Sequence, residues 1–269
     1  MKRDYLIAID LDGTLITGFD NYDKESFFYL KELSKTNKII IATGRPFRSS
    51  KYYYDMLGLK TPIINYNGAL VHNPHDINFP KSMITIPKEV LFDFIKKNEN
   101  VLDNIFCEIE DDIYLWRDTD FIKPYLHLDG GILHVGEISK ILPFDSNGAI
   151  SFSKRGSEKQ LEDFINSYYS EILKIRFWGN ENYVVSEIYN PTATKGVALK
   201  KIADYYHINK DKIITIGDGH NDIDMFKIAK YGVAMENSHP ELIKYAKIKT
   251  KSVLEHGVYS YLKDFFEKK

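Results

Sequence analysis

The sequence predicts an α/β protein whose doubly wound parallel-sheet core is interrupted by an α+β module. Two observations predict this: short apolar runs alternate with helical stretches at both ends of the chain, and aromatic and β-branched segments with patchy alternation fill the middle. Because runs typical of buried parallel strands flank the middle on both sides, we expect an insertion rather than an appended domain. The predicted core is residues 1–82 and 191–269, and the predicted module is residues 83–190.

The core strands are predicted from apolar runs that stop at polar residues. Residues 5–9 form such a run, which ends at Asp10 and lacks the alternation of a strand with one exposed face. Similar runs recur, separated by helical stretches such as residues 24–34 and 194–206. The predicted core strands are residues 5–9, 38–42, 62–65, 212–216 and 232–235.

The middle of the chain is predicted to form an antiparallel sheet. Two amphipathic segments, residues 88–97 and 158–169, have the spacing of helices with one apolar face. We expect these helices to cover one face of the sheet. The predicted strands are residues 106–116, 148–153, 172–177 and 183–188.

The composition of the chain limits the kinds of molecule that the protein is expected to bind and the compartment that it suits. The formal net charge of −2 gives no positive field of the kind that binds nucleic acid, so any phosphate must be held by local contacts. The single cysteine, Cys107, excludes an intrachain disulfide and suits a reducing compartment. No apolar run is long enough for a signal peptide or a membrane span. We expect a cytoplasmic protein, monomeric or a small homo-oligomer, with neither a nucleic-acid nor a membrane partner.

Two carboxylates follow the first predicted strand, in the sequence DLDGT at residues 10–14. On an extended segment Asp10 and Asp12 would point the same way, at the edge where open α/β sheets bind ligands. A structural alternative is a simple turn, because Asp-Gly is a common turn pair. An EF-hand calcium loop is excluded, since Leu15 stands where that loop needs glycine and Asn21 where it needs glutamate.

Two further segments offer groups that can hold a phosphate. Thr43, Gly44 and Arg45 follow the second predicted strand, and a hydroxyl with a backbone N–H beside a glycine can donate to phosphate oxygens. Lys195 stands at the start of a predicted helix and could place its charge on a phosphate. The structural alternatives are a helix N-cap for Thr43 and a solvated surface lysine for Lys195.

The fourth polar segment is GDGHNDIDM at residues 217–225, directly after a predicted strand. Its carboxylates and small glycines suit Mg²⁺, which prefers a few hard oxygen ligands. A dinucleotide-binding fingerprint is excluded, because Asp222 occupies the third glycine position. Asp222 and Asp224 could alternatively be first-turn acids that the helix dipole favours.

If the core folds as predicted, four acids converge at one edge of the sheet: Asp10, Asp12, Asp218 and Asp222. Carboxylates about 4 Å apart repel by roughly 4 kcal/mol per pair at an effective dielectric constant of about 20. Such a cluster calls for a divalent cation, and an approaching phosphate needs the further positive charge of Lys195. We therefore expect Mg²⁺ as the cofactor.

Together, DLDGT, Thr43-Gly44-Arg45, Lys195 and GDGHND at residues 217–222 resemble the motifs of the haloacid dehalogenase (HAD) superfamily, in the same order. Asn67-Gly68-Ala69 and the long insertion resemble its Cof-type sugar-phosphatase branch, which has a type IIB cap. The resemblance implies a Rossmann-like HAD core with an inserted α+β cap domain. It also implies a Mg²⁺-dependent phosphoric monoester hydrolase that acts on a small phosphorylated metabolite such as a sugar phosphate.

The resemblance assigns roles to single residues. It implies that Asp10 is the nucleophile that forms an aspartyl-phosphate and that Asp12 is the general acid and base. Mg²⁺ would be held by the Asp10 carboxylate, the Asp12 backbone carbonyl and Asp218, with Asp222 bound directly or through water. The residues implied to hold the phosphate or the substrate are Thr43, Gly44, Arg45, Asn67, Lys195 and Asn221.

Two other functions fit the same motifs. A phosphomutase would use the same two aspartates but return the phosphoryl group to a sugar. A phosphometabolite-binding regulator would keep the fold without turnover, although binding alone does not need the acid/base residue Asp12. The cap is expected to determine substrate specificity, and His127, Arg176 and Trp178 are candidates for contact with the substrate. The structural alternative is that these side chains lie on the surface or pack against other residues of the cap, as such residues more often do.

Overall fold

The computed structural model describes residues 3–18, 21–178 and 182–267. Its strands, in chain order, are β1 Leu6–Ile9, β2 Lys38–Ile41, β3 Ile63–Asn65, β4 Leu70–His72, β5 Ser82–Met83, β6 Leu102–Ile109, β7 Asp112–Leu115, β8 Leu133–Val135, β9 Gly148–Ser153, β10 Lys174–Trp178, β11 Val184–Tyr189, β12 Ile213–Gly217, β13 Tyr231–Ala234 and β14 Ile248–Lys249. Its α-helices are α1 Lys24–Leu33, α2 Phe47–Leu57, α3 Lys88–Lys97, α4 Lys123–Leu126, α5 Ile138–Ile141, α6 Glu158–Tyr168, α7 Lys195–Tyr205, α8 Ile223–Ile228, α9 Pro240–Ile243 and α10 Gly257–Glu267.

The chain forms two compact units. Among the described residues, the first unit contains those up to Arg45, Ser50–Ser82 and those from Thr194 onward, and the second contains Pro46–Ser49 and those within Met83–Ala193. In the described ranges, no helix combines the length and the apolar character that a membrane span requires.

The first unit is built on a five-stranded parallel sheet with the order β14-β13-β12-β1-β2. The interior strand β1 is completely buried, as its continuous apolar sequence predicts. It pairs with β2 on one side and β12 on the other, so that Ile9 lies level with Ile41 and Ile216. The predicted α/β class with a parallel-sheet core is therefore confirmed.

Two helices of the first unit, α1 and α7, start at side chains that cap them. Thr194 precedes α7 and its hydroxyl accepts a hydrogen bond from the Val197 N–H at 3.1 Å. Asp23 caps α1 in the same way, through the Ser26 N–H at 3.2 Å. Apolar residues of α7, including Leu199, pack in one cluster with strand residues, and this fixes the first turn of α7 beside the sheet.

The second unit is built on a six-stranded sheet with the order β10-β11-β9-β6-β7-β8. Its pairs are antiparallel except that β7 and β8 run parallel. The apolar faces of α3 and α6 pack on this sheet, with Leu91 and Leu161 fully buried in the same cluster as Ile105. The predicted antiparallel sheet and both predicted helices are present in this unit.

One predicted strand is wrong: residues 106–116 do not form a single strand. The segment contains the end of β6, a turn and β7, which pair as a hairpin. Glu110 in the turn has a φ of 54°, a left-handed conformation that a continuous strand cannot contain. The shortest elements have no predicted counterpart, because two to four residues are too few to show periodicity: β4, β5, β8, β14, α4, α5 and α9.

Candidate active site

Polar residues that follow adjacent parallel strands of the first unit lie together at one end of the sheet. Asp10 directly follows β1 and Asp218 directly follows β12, and the Asp10 N–H donates to the Ile216 carbonyl at 3.0 Å. One carboxylate oxygen from each of Asp10, Asp218 and Asp222 lies within 4.8 Å of the other two. The parallel pairing of β1 and β12 thus joins acids that are about two hundred residues apart in the chain.

Lys195 is the cation inside this acidic cluster. Its Nζ donates to Asp10 Oδ1 at 2.6 Å and to Asp222 Oδ1 at 2.7 Å, and the side chain is completely buried. Burial alone would lower the pKa of Lys195, but the two carboxylates outweigh burial and raise that pKa, so the lysine is charged. The alternative of a solvated surface lysine is excluded by this burial.

Asp222 is held rigidly by its own loop. Its Oδ2 accepts the N–H groups of Asp218 at 3.0 Å and Gly219 at 2.9 Å, while Oδ1 accepts from Lys195. A Cβ at Gly217 would lie 2.3 Å from Asp222 Oδ2, so only glycine permits this close approach. Asp222 therefore braces Lys195 and the backbone that carries Asp218.

The cluster carries more negative than positive charge. Burial raises the pKa of Asp10 well above its ordinary value, and Asp218 and Asp222 raise it further against the opposing effect of Lys195. Burial, followed by repulsion from Asp222, raises the pKa of Asp218 to about 6. Three carboxylates share one lysine, and hard oxygen ligands at this spacing suit a divalent cation such as Mg²⁺. The donor set therefore fits a metal of that class.

Asp12 has a different environment from the three clustered acids. Its side chain is 52% exposed, and Arg45 donates to both of its oxygens, from Nε at 2.8 Å and from an Nη at 2.5 Å. This bidentate pair fixes the orientation of the carboxylate. The structure thus places Asp10 in a buried position and Asp12 in an accessible one.

The remaining predicted residues form a chain of hydrogen bonds in the first unit. The buried Thr43 accepts the Arg45 N–H on its hydroxyl at 3.1 Å, and its carbonyl accepts the Asn67 N–H at 3.0 Å. Asn67 Oδ1 in turn accepts from Asn221 Nδ2 at 2.8 Å. A Cβ on Gly44 would lie 3.2 Å from Asn67. Thr43 is not an N-cap of α2, because that helix begins four residues later, at Phe47.

Two residues of this region have no role in the sequence predictions. Thr14 lies within the DLDGT motif, and its hydroxyl donates to Asp218 Oδ1 at 3.1 Å. Asn237 follows β13, and its Nδ2 donates to Asp218 Oδ2 at 3.1 Å. The only signal that the sequence offered for Asn237 was its position just beyond the end of a predicted core strand.

The chain is similar to known proteins over nearly its whole length. The sequence model of the haloacid dehalogenase-like hydrolase family matches residues 7–262. The chain is 30% identical over 266 residues to a protein of Bacillus subtilis (strain 168) named 5-amino-6-(5-phospho-D-ribitylamino)uracil phosphatase YitU, with 98% of each chain covered.

Solved structures share the fold along nearly the whole chain. TM0651 from Thermotoga maritima has a TM-score of 0.81 at 24% identity, with 97% of each chain covered. The HAD subclass IIB sugar phosphatase BT4131 has a TM-score of 0.74 at 22% identity, with 97% of this chain and 98% of that chain covered. The predicted family is confirmed: the chain belongs to the haloacid dehalogenase-like hydrolases and is a phosphatase of that family.

Proposed function

We propose that this phosphatase hydrolyses small phosphorylated metabolites with Mg²⁺, through a phosphorylated Asp10. The observation that carries the proposal is the state of the Asp10 carboxylate. Lys195 holds Oδ1 at 2.6 Å, whereas Oδ2 accepts no hydrogen bond from any residue that the structure describes. One oxygen of a buried, fixed carboxylate is thus available for attack on phosphorus.

Asp10 and Asp12 have different roles in the two steps of the reaction. Asp10 Oδ2 forms a bond to phosphorus in line with the leaving oxygen, whose bond to phosphorus breaks. Asp12 donates a proton to that oxygen, so the alcohol leaves neutral. Asp12 then takes a proton from a water molecule that attacks the aspartyl-phosphate, which releases inorganic phosphate and restores Asp10. The exposed carboxylate of Asp12 suits both transfers.

The metal would be held by the carboxylates of Asp10 and Asp218 and by the backbone carbonyl of Asp12. Asp222 would bind the metal directly or through water, and because its Oδ2 already accepts two N–H groups, a direct contact would use Oδ1. When bound, Mg²⁺ supplies positive charge that offsets the clustered carboxylates and the incoming phosphate.

The phosphate oxygens would be held by groups that surround Asp10. Lys195 places its charge beside the nucleophile, and Thr43, Gly44 and Asn221 supply neutral donors. Arg45 and Asn67 are assigned to the substrate side of the site. Residues 1–82 and 191–269 are proposed as the catalytic core, and residues 83–190 as the type IIB cap domain that selects the substrate.

Several phosphorylated metabolites are candidate substrates. The relative from Bacillus subtilis makes 5-amino-6-(5-phospho-D-ribitylamino)uracil the first compound to test. Hexose and pentose phosphates, erythrose 4-phosphate, pyridoxal phosphate and flavin mononucleotide complete the set. Release of inorganic phosphate from each compound, measured with Mg²⁺, ranks them by kcat/KM.

Asp10→Asn is the decisive variant in this screen. It keeps the size of the side chain but removes the nucleophile, and we expect turnover to fall at least about 10³-fold with the fold retained by circular dichroism. Phosphate release by the wild type without a sugar-bisphosphate activator rejects a phosphomutase. Unchanged turnover in Asp10→Asn would reject the aspartyl-phosphate route, and the absence of turnover on every compound would favour a binding regulator.

A further inference from the structure

The segment that follows β13 holds the loop that carries Asp218. Asn237 donates from Nδ2 to Asp218 Oδ2 at 3.1 Å. Ser238 donates from its hydroxyl to the Gly217 carbonyl at 3.3 Å, and the His239 N–H donates to the Asp218 carbonyl at 2.8 Å. Three successive residues thus contact two residues of the neighbouring loop.

Asn237 completes the pairing of the Asp218 carboxylate. Thr14 donates to Oδ1 at 3.1 Å and Asn237 donates to Oδ2 at 3.1 Å, so each oxygen has one side-chain donor. Donors on both oxygens fix the rotation of the carboxylate and the direction of its remaining lone pairs. A ligand held in this way is oriented before a metal arrives.

The same amide also reaches the loop that carries Asp10 and Asp12. Nδ2 of Asn237 donates to the Gly13 carbonyl at 2.9 Å, and an amide nitrogen has two hydrogens, one for each acceptor. The two loops are in close contact here: Gly13 has a φ of 77°, and a Cβ on it would lie 2.2 Å from Asp218 Oδ2. Asn237 therefore joins the two loops that supply the proposed metal ligands.

We propose that Asn237 is a positioning residue that orients Asp218 for the divalent cation; this inference rests on the metal dependence in the proposed function. Asn237 lies on the surface and is absent from the buried core, so its contacts are not needed for packing. Its effect is on the geometry of a ligand. Replacement of outer hydrogen-bond partners of metal ligands typically weakens metal binding about 10- to 100-fold.

The test measures binding of Mg²⁺ alone to the metal-free protein by calorimetry, without substrate. Asn237→Leu keeps the approximate size but cannot donate, and Asn237→Ala removes the side chain. We expect both variants to bind Mg²⁺ about 10-fold or more weakly than the wild type, with unchanged circular dichroism and unchanged melting without metal. The matched control is Asn209→Ala, an exposed asparagine whose side chain makes no cap hydrogen bond, and its affinity should equal that of the wild type.

Kinetics add a second measurement. In the Asn237 variants the Mg²⁺ concentration for half-maximal rate should rise about 10-fold, while kcat at saturating Mg²⁺ stays near that of the wild type. Wild-type affinity in both variants would overturn the positioning role and leave the proposed function intact. If the wild type itself binds no Mg²⁺, the metal assignment and the positioning role fall together.

Discussion

The five-stranded sheet of the first unit and the six-stranded sheet of the second differ in how their buried polar groups are paired. In the antiparallel sheet of the second unit, the buried Asn104 makes hydrogen bonds with all of its side-chain groups. Nδ2 donates to the Arg117 carbonyl at 2.6 Å and to the Thr119 hydroxyl at 3.0 Å, and Oδ1 accepts the N–H groups of Ile105 at 2.9 Å and Arg117 at 3.1 Å. Ser151 and Ser186 pair in the same sheet at 2.7 Å.

At the end of the parallel sheet of the first unit, the charges do not balance. Asp10, Asp218 and Asp222 share the single cation Lys195 within a largely buried cluster. A buried polar group whose partners are complete contributes to stability, whereas an uncompensated buried charge costs stability and persists where function needs it. The comparison therefore separates polar residues expected to affect stability alone from a charge cluster whose residues are expected to affect turnover as well.

Removal of the metal should have the largest effect on the unbalanced cluster. We expect EDTA followed by dialysis to abolish phosphate release and added Mg²⁺ to restore it, because the excess carboxylate charge repels the phosphate. The phosphate assay measures this directly, with a second aliquot carried through dialysis in Mg²⁺ buffer as the control. Full activity in excess EDTA would refute the metal assignment.

Asp12→Asn tests an acid that lies outside the buried cluster. The side chain is 52% exposed, so we expect no change in the denaturation midpoint, but kcat should fall about 10²- to 10⁴-fold because the proposed general acid and base is lost. The loss in kcat/KM, which reflects the first transfer, should be smaller with p-nitrophenyl phosphate, whose leaving group needs no proton. Equal losses for this ester and an alkyl phosphate would contradict the acid role.

Lys195→Met tests the stability of the cluster itself. The variant keeps the apolar stem but leaves Asp10 and Asp222 buried without a cation, which should cost about 3–5 kcal/mol of unfolding free energy. Lys200→Met on the same helix is the control, because Lys200 pairs with Asp204 on the surface and should contribute less than about 1 kcal/mol. Urea denaturation in metal-free buffer compares them, and similar losses would show that the buried pairing is not needed for folding.

Asn104→Ala in the antiparallel sheet should have the smallest effect, confined to stability. It removes the acceptor of the buried Ile105 N–H and the partners of the partly buried Arg117 backbone groups, so we expect a loss of about 1–3 kcal/mol in unfolding free energy. Values of kcat and KM at a temperature where the variant is folded should match those of the wild type. A drop in kcat comparable to that of Asp12→Asn would contradict the expectation that Asn104 affects stability alone.

The sequence predicted those features that depend on local pattern. The continuous apolar run before Asp10 predicted β1, and the four polar segments in order predicted the family, because each motif is short and contiguous. The hairpin within residues 106–116 was missed, because its turn interrupts the aromatic and β-branched pattern by only a few residues.

Other features depend on tertiary contacts that no local pattern reports. Lys195 has the sequence context of a surface lysine, and only the packing of α7 beside the sheet buries it between two acids. Asn237 carries no motif, and its partners Gly13 and Asp218 come from two other strand ends. Arg45 was expected on the substrate side, and its bidentate contact with Asp12 became visible only in the structure.

The pairing of β1 with β12 has a consequence for biosynthesis. The ribosome makes Asp10 some two hundred residues before it makes the neighbouring strand β12 and the proposed ligand Asp218. Long-range pairing of this kind forms late in folding. A nascent chain that ends before residue 218 therefore carries the proposed nucleophile without the complete proposed metal site, and we expect catalytic competence only after β12 has joined the sheet.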